Sequence, residues 1–354
     1  MPLGERVQGV EKIAVLRANA LGDFVFALPA LEALRAAYPR AEIVLLCAGW
    51  IAAFADGRPG PVTRAVAVPA YRGVTVPPDG AEDAAEQAGF LAAMAAERFD
   101  LAVQIHGGGR HSNPLARRLG ARLTIGLRAP DAPPLDRSLP YVYYQREVLR
   151  YLEVVALVGA PPVTVEPRLA LTADDLTAAA RVVPEDGRPL VVLHPGVGDE
   201  RRRWPAEKFA AVGRALAGRD ARLVLTGTAQ DAALCARVAE LIGAGGAENA
   251  CARLSLPGLA GLLGRSRLVV SNDTGPLHLG AAVGAATVGV FWCGNVINAG
   301  PMAQARSRVA ISWRLECPVC GLDCTRGRCE HSASFVADVS VEEVLAPALE
   351  LLGG

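Results

Sequence analysis

The residues best suited to chemistry lie where apolar runs stop. In Val270-Ser271-Asn272-Asp273-Thr274-Gly275-Pro276-Leu277-His278 a strand-like run ends and a helix begins. Asp or Thr can cap that helix, glycine lets the backbone approach a ligand, and proline suits a first turn. Amides and partial positive charge at such a start form a diphosphate site, with His278 one turn in and able to donate to the same phosphates. An ordinary capped helix, with Asp273 on backbone amides and His278 in the core, has the same pattern. His194-Pro195-Gly196 through Arg201-Arg202-Arg203-Trp204-Pro205 follows another apolar run. Guanidinium groups there can bind phosphate oxygens bidentately, although a charge run is equally a solvated loop. Between Arg17 and Asp23 a carboxylate follows Gly22 at a strand-to-helix turn. Asp23 is placed to act as general base towards a substrate hydroxyl, or else as an N-cap. In Thr226-Gly227-Thr228-Ala229-Gln230-Asp231, Gly227 admits a flat base or sugar and Asp231 can accept from ribose hydroxyls. No G-x-G-x-x-G follows a strand, which argues against a dinucleotide-dependent dehydrogenase.

These segments need a scaffold that gathers strand ends. Apolar runs at 13–16, 41–46, 65–68, 101–105 and 123–125 alternate with helical spacing after 23, at 81–97 and at 146–158. In the second half, runs at 190–193, 223–226, 268–271 and 287–291 alternate with helical stretches at 205–216 and 229–242. Strands alternating with helices imply parallel pairing in a layered α/β fold. The Pro- and turn-rich stretch 159–189, with a short helical stretch at 174–182, separates two domains, set at 1–165 and 185–340. Residues 341–354 form an amphipathic terminal helix expected to pack back across the domains. Two such domains leave a central cleft at the carboxyl ends of their sheets, where ligands of this architecture bind.

Of 354 residues, 51% are hydrophobic and 20% charged, which excludes a disordered chain, and 36 basic residues balance 36 acidic ones. That balance gives no footprint for nucleic acid or a polybasic membrane anchor, and fits an enzyme of small molecules. Met1 to Lys12 has mixed charge and no long apolar core, so no secretory signal is expected. The uncharged stretch 275–305 contains Gly, Pro, His and Asn and reads as buried helix, strand and loop, not a membrane span. Cys47, Cys235, Cys251 and Cys293 lie singly in apolar surroundings, as in a reducing compartment.

Taken together, Leu16-Arg17-x-Asn19-x-Leu21-Gly22-Asp23, Leu28-Pro29-Ala30-Leu31, His194-Pro195-Gly196 with Arg202-Arg203-Trp204-Pro205, and Asn272-Asp273-Thr274-Gly275-Pro276-x-His278 resemble glycosyltransferase family 9. Its best-known members are ADP-heptose:lipopolysaccharide heptosyltransferases, and the four motifs occur in order over nearly the whole chain. The resemblance implies a GT-B fold of two Rossmann-like domains: an N-terminal acceptor domain and a C-terminal nucleotide-sugar donor domain. It also implies inverting transfer with no metal or other cofactor in catalysis. Asp23 matches the catalytic aspartate. Asp273, Thr274, Gly275 and His278 match the diphosphate site, and Gly227 and Asp231 match the nucleotide-binding turn. Asn19, Gly22 and His194 lie in motifs implied to bind substrate. Arg202 stands where well-studied relatives carry a phosphate-binding lysine, and Asn19 where they carry serine.

The expected partners are an ADP-heptose-like donor and a glycan, lipid-linked or small-molecule acceptor, with lipopolysaccharide biosynthesis as the family's setting. The expected location is the cytoplasm, with peripheral contact at the inner face of the membrane. A UDP-sugar donor, or a GT-B binding protein without turnover, remains an alternative. His106-Gly107-Gly108-Gly109-Arg110-His111, on the loop after 101–105, is assigned to acceptor recognition, with a glycine-rich surface loop as the competing reading. Arg110, Arg117, Arg118, Arg122 and Arg128 would meet an anionic acceptor or simply form a solvated face.

A cluster Cys317-x2-Cys320-x3-Cys324-x4-Cys329-x-His331 remains outside these motifs. In a reducing cell Cys317, Cys320, Cys324 and Cys329 can hold a structural zinc that staples a loop lacking a core. Free thiols or a redox-labile disulfide are the alternatives.

Overall fold

The computed structural model describes residues 4–353, so the last residue of the expected terminal segment lies outside the described residues. The chain divides into two compact units, 1–170 and 171–354. The first contains β1 (Lys12–Leu16), α1 (Leu21–Ala37), β2 (Glu42–Cys47), α2 (Gly49–Ala55), β3 (Arg64–Ala67) and α3 (Ala84–Ala96). It continues through β4 (Leu101–Gln104), α4 (Ser112–Arg118), β5 (Leu123–Arg128), β6 (Arg137–Pro140) and α5 (Glu147–Ala156). Its six strands are all parallel, in the order β3-β2-β1-β4-β5-β6. Central strands such as KIAVL and EIVLLC are buried almost throughout, because helices cover both faces of a parallel sheet.

The second unit opens with α6 (Ala173–Val182) and runs through β7 (Leu190–His194), α7 (Ala206–Ala217), β8 (Arg222–Leu225), α8 (Ala232–Ile242) and β9 (Glu248–Asn249). It then adds α9 (Leu256–Arg265), β10 (Leu268–Asn272), α10 (Gly275–Ala282), β11 (Ala286–Trp292), α11 (Cys293–Ala299), β12 (Ser307–Ser312) and α12 (Val341–Gly353). Its sheet runs β12-β11-β10-β7-β8-β9, again parallel. Counted from its own first strand, this is the order of the first sheet. The two sheets with their helices form the GT-B class of α/β fold.

Each unit closes its own core. Leu16, Val44, Leu46, Phe99 and Leu115 cluster in the first, and Val191, Trp204, Phe209, Val270 and Val288 in the second. The terminal helix α12 packs on α7, β10, β11 and β12, setting Val344 and Ala348 into the second core. Helix α6 lies against α9 within the second unit. Gly261 permits this approach, since a Cβ there would stand 2.1 Å from the Asp175 carbonyl oxygen. Among the described residues, no helix is long and apolar enough to cross a membrane.

Candidate active site

In a doubly wound sheet the crevice opens where strand order reverses, here beside β1 and β4 in one unit and β7 and β10 in the other. The loop after β1 turns through Asn19, whose φ of 88° is left-handed, a conformation asparagine tolerates better than most residues. Ala20 is the N-cap of α1, so Asp23 lies inside the first helical turn and is not the cap. Its Oδ1 is 2.6 Å from Arg17 Nη2. Burial opposes the Arg17 charge, but Asp23 together with Tyr151 and Glu147 more than restores it.

Arg17 Nη1 lies 3.1 Å from His106 Nδ1, which also receives the Ala18 amide at 3.3 Å. Both neighbours are donors, so Nδ1 is the acceptor and Nε2 carries the proton towards the Gly73 carbonyl, 3.3 Å away. Burial, reinforced by the Arg17 charge, pushes His106 down to about 3. Behind Arg17, the Tyr151 ring lies 5.4 Å from the guanidinium carbon, and its hydroxyl donates to Glu147, which also accepts from Arg150. Sequence reading assigned no role to Arg17, Glu147 or Tyr151, which meet only through the fold. His106 is buried, whereas Arg110 is exposed and 3.6 Å from Asp131, and Arg122 is 3.6 Å from Asp100.

In the second unit, one buried asparagine ties three segments together. Asn272, at the end of β10, accepts from the Trp204 amide at 3.0 Å and donates to the Pro195 carbonyl at 2.8 Å. This fixes the turn after β7 and the arginine segment beside the start of α10. Of the three arginines, Arg202 reaches that start: Nη1 is 3.0 Å from Asp273 Oδ2 and 3.3 Å from the Asp273 carbonyl oxygen. Arg201 pairs with Asp199 and Arg203 with Glu200. On the other side, His278 Nε2 lies 3.0 Å from Asp273 Oδ1.

Burial alone would raise the Asp273 carboxyl, but the hydrogen bond and charge of His278, followed by Arg202, hold it below the usual carboxylate range. Asp273 therefore gathers two donors and is not itself an attractive surface for phosphate. The N-cap of α10 is Thr274, whose side chain makes no cap hydrogen bond, and Gly275 and Pro276 begin the helix. Its first amides thus lie beside Arg202 and His278, both held by the Asp273 carboxylate.

His194 ends β7 with Nδ1 3.0 Å from Thr226 Oγ1, and burial pushes it down to about 4, so it is neutral at pH 7. Asp231 accepts from the Thr228 amide and hydroxyl, both at 2.8 Å, so its carboxylate also shapes its own turn. Gly196 lies close under this carboxylate: a Cβ there would come within 2.6 Å of it and displace the Asp231 side chain. At Gly227 a Cβ would meet Asp231, Cys235 and Cys251, so this glycine serves packing within the turn. Gly22 lies in the first turn of α1, one residue before Asp23.

All eight cysteines are free thiols. Ligand atoms of Cys317, Cys320, Cys329 and His331 lie within 4.8 Å of one another, while Cys324 is outside this group, its sulfur 3.9 Å from that of Cys329. Hydrogen bonds from the Cys320 and Val319 amides outweigh burial and lower the Cys317 thiol to about 6.

The same arrangement of sheets occurs in known structures. A glycosyltransferase family 9 protein from Veillonella parvula is 21% identical, with a TM-score of 0.78 over 99% of this chain and 98% of that one. The E. coli ADP-heptose lipopolysaccharide heptosyltransferase II is 17% identical, with a TM-score of 0.75 over 97% of this chain and 98% of its own. E. coli heptosyltransferase WaaC, solved with ADP, is 21% identical, with a TM-score of 0.63 over 85% and 91% of the two chains. No curated protein sequence matches significantly. The family model for glycosyltransferase family 9 (heptosyltransferase) matches residues 90–320, more than half of the chain. The chain therefore belongs to glycosyltransferase family 9, a family of sugar-transferring enzymes.

Proposed function

We propose that this enzyme transfers a heptose or related sugar, with inversion and without a catalytic metal, from an ADP-linked donor to an acceptor hydroxyl. The observation that carries this reading is the placement of Arg202 and His278 on buried Asp273 at the start of α10. On this reading Arg202 and His278, held in place by Asp273, and the first helix amides meet the donor diphosphate. Charge accumulating on a departing nucleoside diphosphate is met by groups already oriented. Arg202 supplies a planar fork where a lysine would supply a point charge.

On the first unit, Asp23 takes the acceptor proton, and the acceptor oxygen attacks the anomeric carbon. As the new C–O bond forms, the bond to phosphate breaks and its electron pair leaves on ADP. Arg17 fixes the direction of the Asp23 carboxylate and is a positioning residue. Asn19, Gly22, His194, Gly227 and Asp231 shape the turns around substrate. A heptosyltransferase solved with ADP supports adenosine in the nucleotide. The acceptor is a glycan, lipid-linked or small molecule, and the reading places the enzyme in the cytoplasm, facing the membrane when the acceptor is lipid-linked.

The test is release of ADP from ADP-heptose across an acceptor panel, with UDP-sugars in parallel. Asp23→Asn should lower turnover by about 10²–10⁴-fold while ADP affinity stays unchanged. Full activity in that variant removes Asp23 as base, and turnover with UDP-sugars alone overturns the donor assignment.

A further inference from the structure

The segment joining β12 to α12 has almost no core. From Trp313 to Ser334, Cys317 alone is buried, while Trp313, Leu315, Val319 and Leu322 are exposed. A connection of this length without packing needs another means of closure. The chain folds back at Gly321, which has φ of 72°. The Gly321 amide donates to the Cys317 carbonyl at 2.9 Å and the Cys317 amide to the Leu322 carbonyl at 2.8 Å. This tight knuckle brings the thiols of Cys317 and Cys320 together, and the Val319 amide lies 3.5 Å from Cys317 Sγ. Cys329 and His331 return to the same point from the far end of the segment.

We propose that Cys317, Cys320, Cys329 and His331 bind one zinc ion tetrahedrally, and that this cross-link braces the segment carrying Arg201, Arg202 and Arg203. With zinc bonds of about 2.3 Å to sulfur and about 2.0 Å to nitrogen, a tetrahedral edge is roughly 3.5–3.8 Å. Cys317 Sγ and His331 Nδ1 stand 3.8 Å apart, close to such an edge, and all four ligand atoms lie within 4.8 Å of one another, so shifts of about 1 Å close the set round a single ion. On binding, the three thiols become thiolates, their protons pass to solvent, and the imidazole binds neutral through Nδ1. Cys324 is not a ligand.

The bracing follows from what lies next to the ligands. A cavity of about 560 Å³ is lined by Asp199 and Arg201 together with Cys329 and His331. Just beyond His331, the Ser334 hydroxyl donates to the Arg203 carbonyl and the Phe335 amide to the Arg201 carbonyl, both at 2.6 Å. The Arg201 guanidinium carbon is 5.7 Å from the Phe335 ring centre. Closing the loop at His331 therefore restrains the strand of chain that holds the arginine segment. This inference does not depend on the donor proposed above.

The full-length chain, purified under reducing conditions and equilibrated with zinc, should retain about one zinc per chain by elemental analysis. Cobalt substitution should give the d–d bands of a tetrahedral centre with three thiolates. Cys329→Ser and His331→Ala should weaken metal affinity at least about tenfold, whereas Cys324→Ser should keep both metal and spectrum. Chelation of the unmutated protein should speed amide exchange at 313–335 and at 199–203. Wild-type protein that takes up neither zinc nor cobalt overturns the site, and equal metal loss in Cys324→Ser and Cys329→Ser overturns the ligand set. Stoichiometric iron in place of zinc overturns the choice of ion. Unchanged exchange at 199–203 after chelation overturns the bracing.

Discussion

A guanidinium as enclosed as that of Arg17, whose side chain is 7% exposed, is stable only where its charge is met, and Asp23 meets it at 2.6 Å. Arg17→Ala should cost roughly 2–4 kcal/mol in urea unfolding, below the fully buried case because Asp23 is partly exposed. His106 and His194 give a second residue-level expectation. Both are held neutral, with folded values of about 3 and about 4 against an ordinary 6.5. The unfolded chain takes up their protons first, so their contribution is complete above pH 6.5 and declines as pH falls towards the folded values. Between pH 7 and 5 each should cost about 2 kcal/mol, seen as a falling urea midpoint that flattens in His106→Gln or His194→Gln. The positions of Asp23, Arg202, Thr274 and His278 beside strand-to-helix turns were legible at this scale because an apolar run stops just before each of them. The role of Asp273 was not, since a spacing does not show that one carboxylate will face both Arg202 and His278. Arg17 and Tyr151, far apart in sequence, were hidden for the same reason.

Among the elements, the central strands read clearly because burial on both faces makes each a continuous apolar run. Of the four edge strands, β3 was read, at 65–68, but the other three were not: β6 is RSLP, β9 is two residues long, and Arg308 interrupts β12. Helix α9 escaped because LPGLAGLLGR has three internal glycines and a charge only at its end, leaving little polar contrast for a helical period. What holds the loops after β7 and β10 in register is Asn272, quoted within a motif but not recognised as a clamp. Asn272→Ala strands the Trp204 amide and the Pro195 carbonyl inside the protein. It should cost roughly 2–4 kcal/mol by denaturation and weaken ADP binding as well, because Arg202 loses its fixed position.

For the whole molecule, the repeated strand order and the two separate cores suggest two cooperative folding units. Calorimetry should resolve two transitions, and saturating ADP should raise only the one belonging to residues 171–354. A single transition shifted as a whole would show that the units unfold together. The division into two domains was legible from the turn-rich stretch at 159–189. The placement of α6 with the second unit was not, because its partner α9 lies beyond three intervening strands. Separate cores also affect how damage spreads. A lesion confined to the first half leaves the second core folded, so under the proposed donor assignment a cell making such a chain would accumulate a decoy that sequesters activated sugar without spending it.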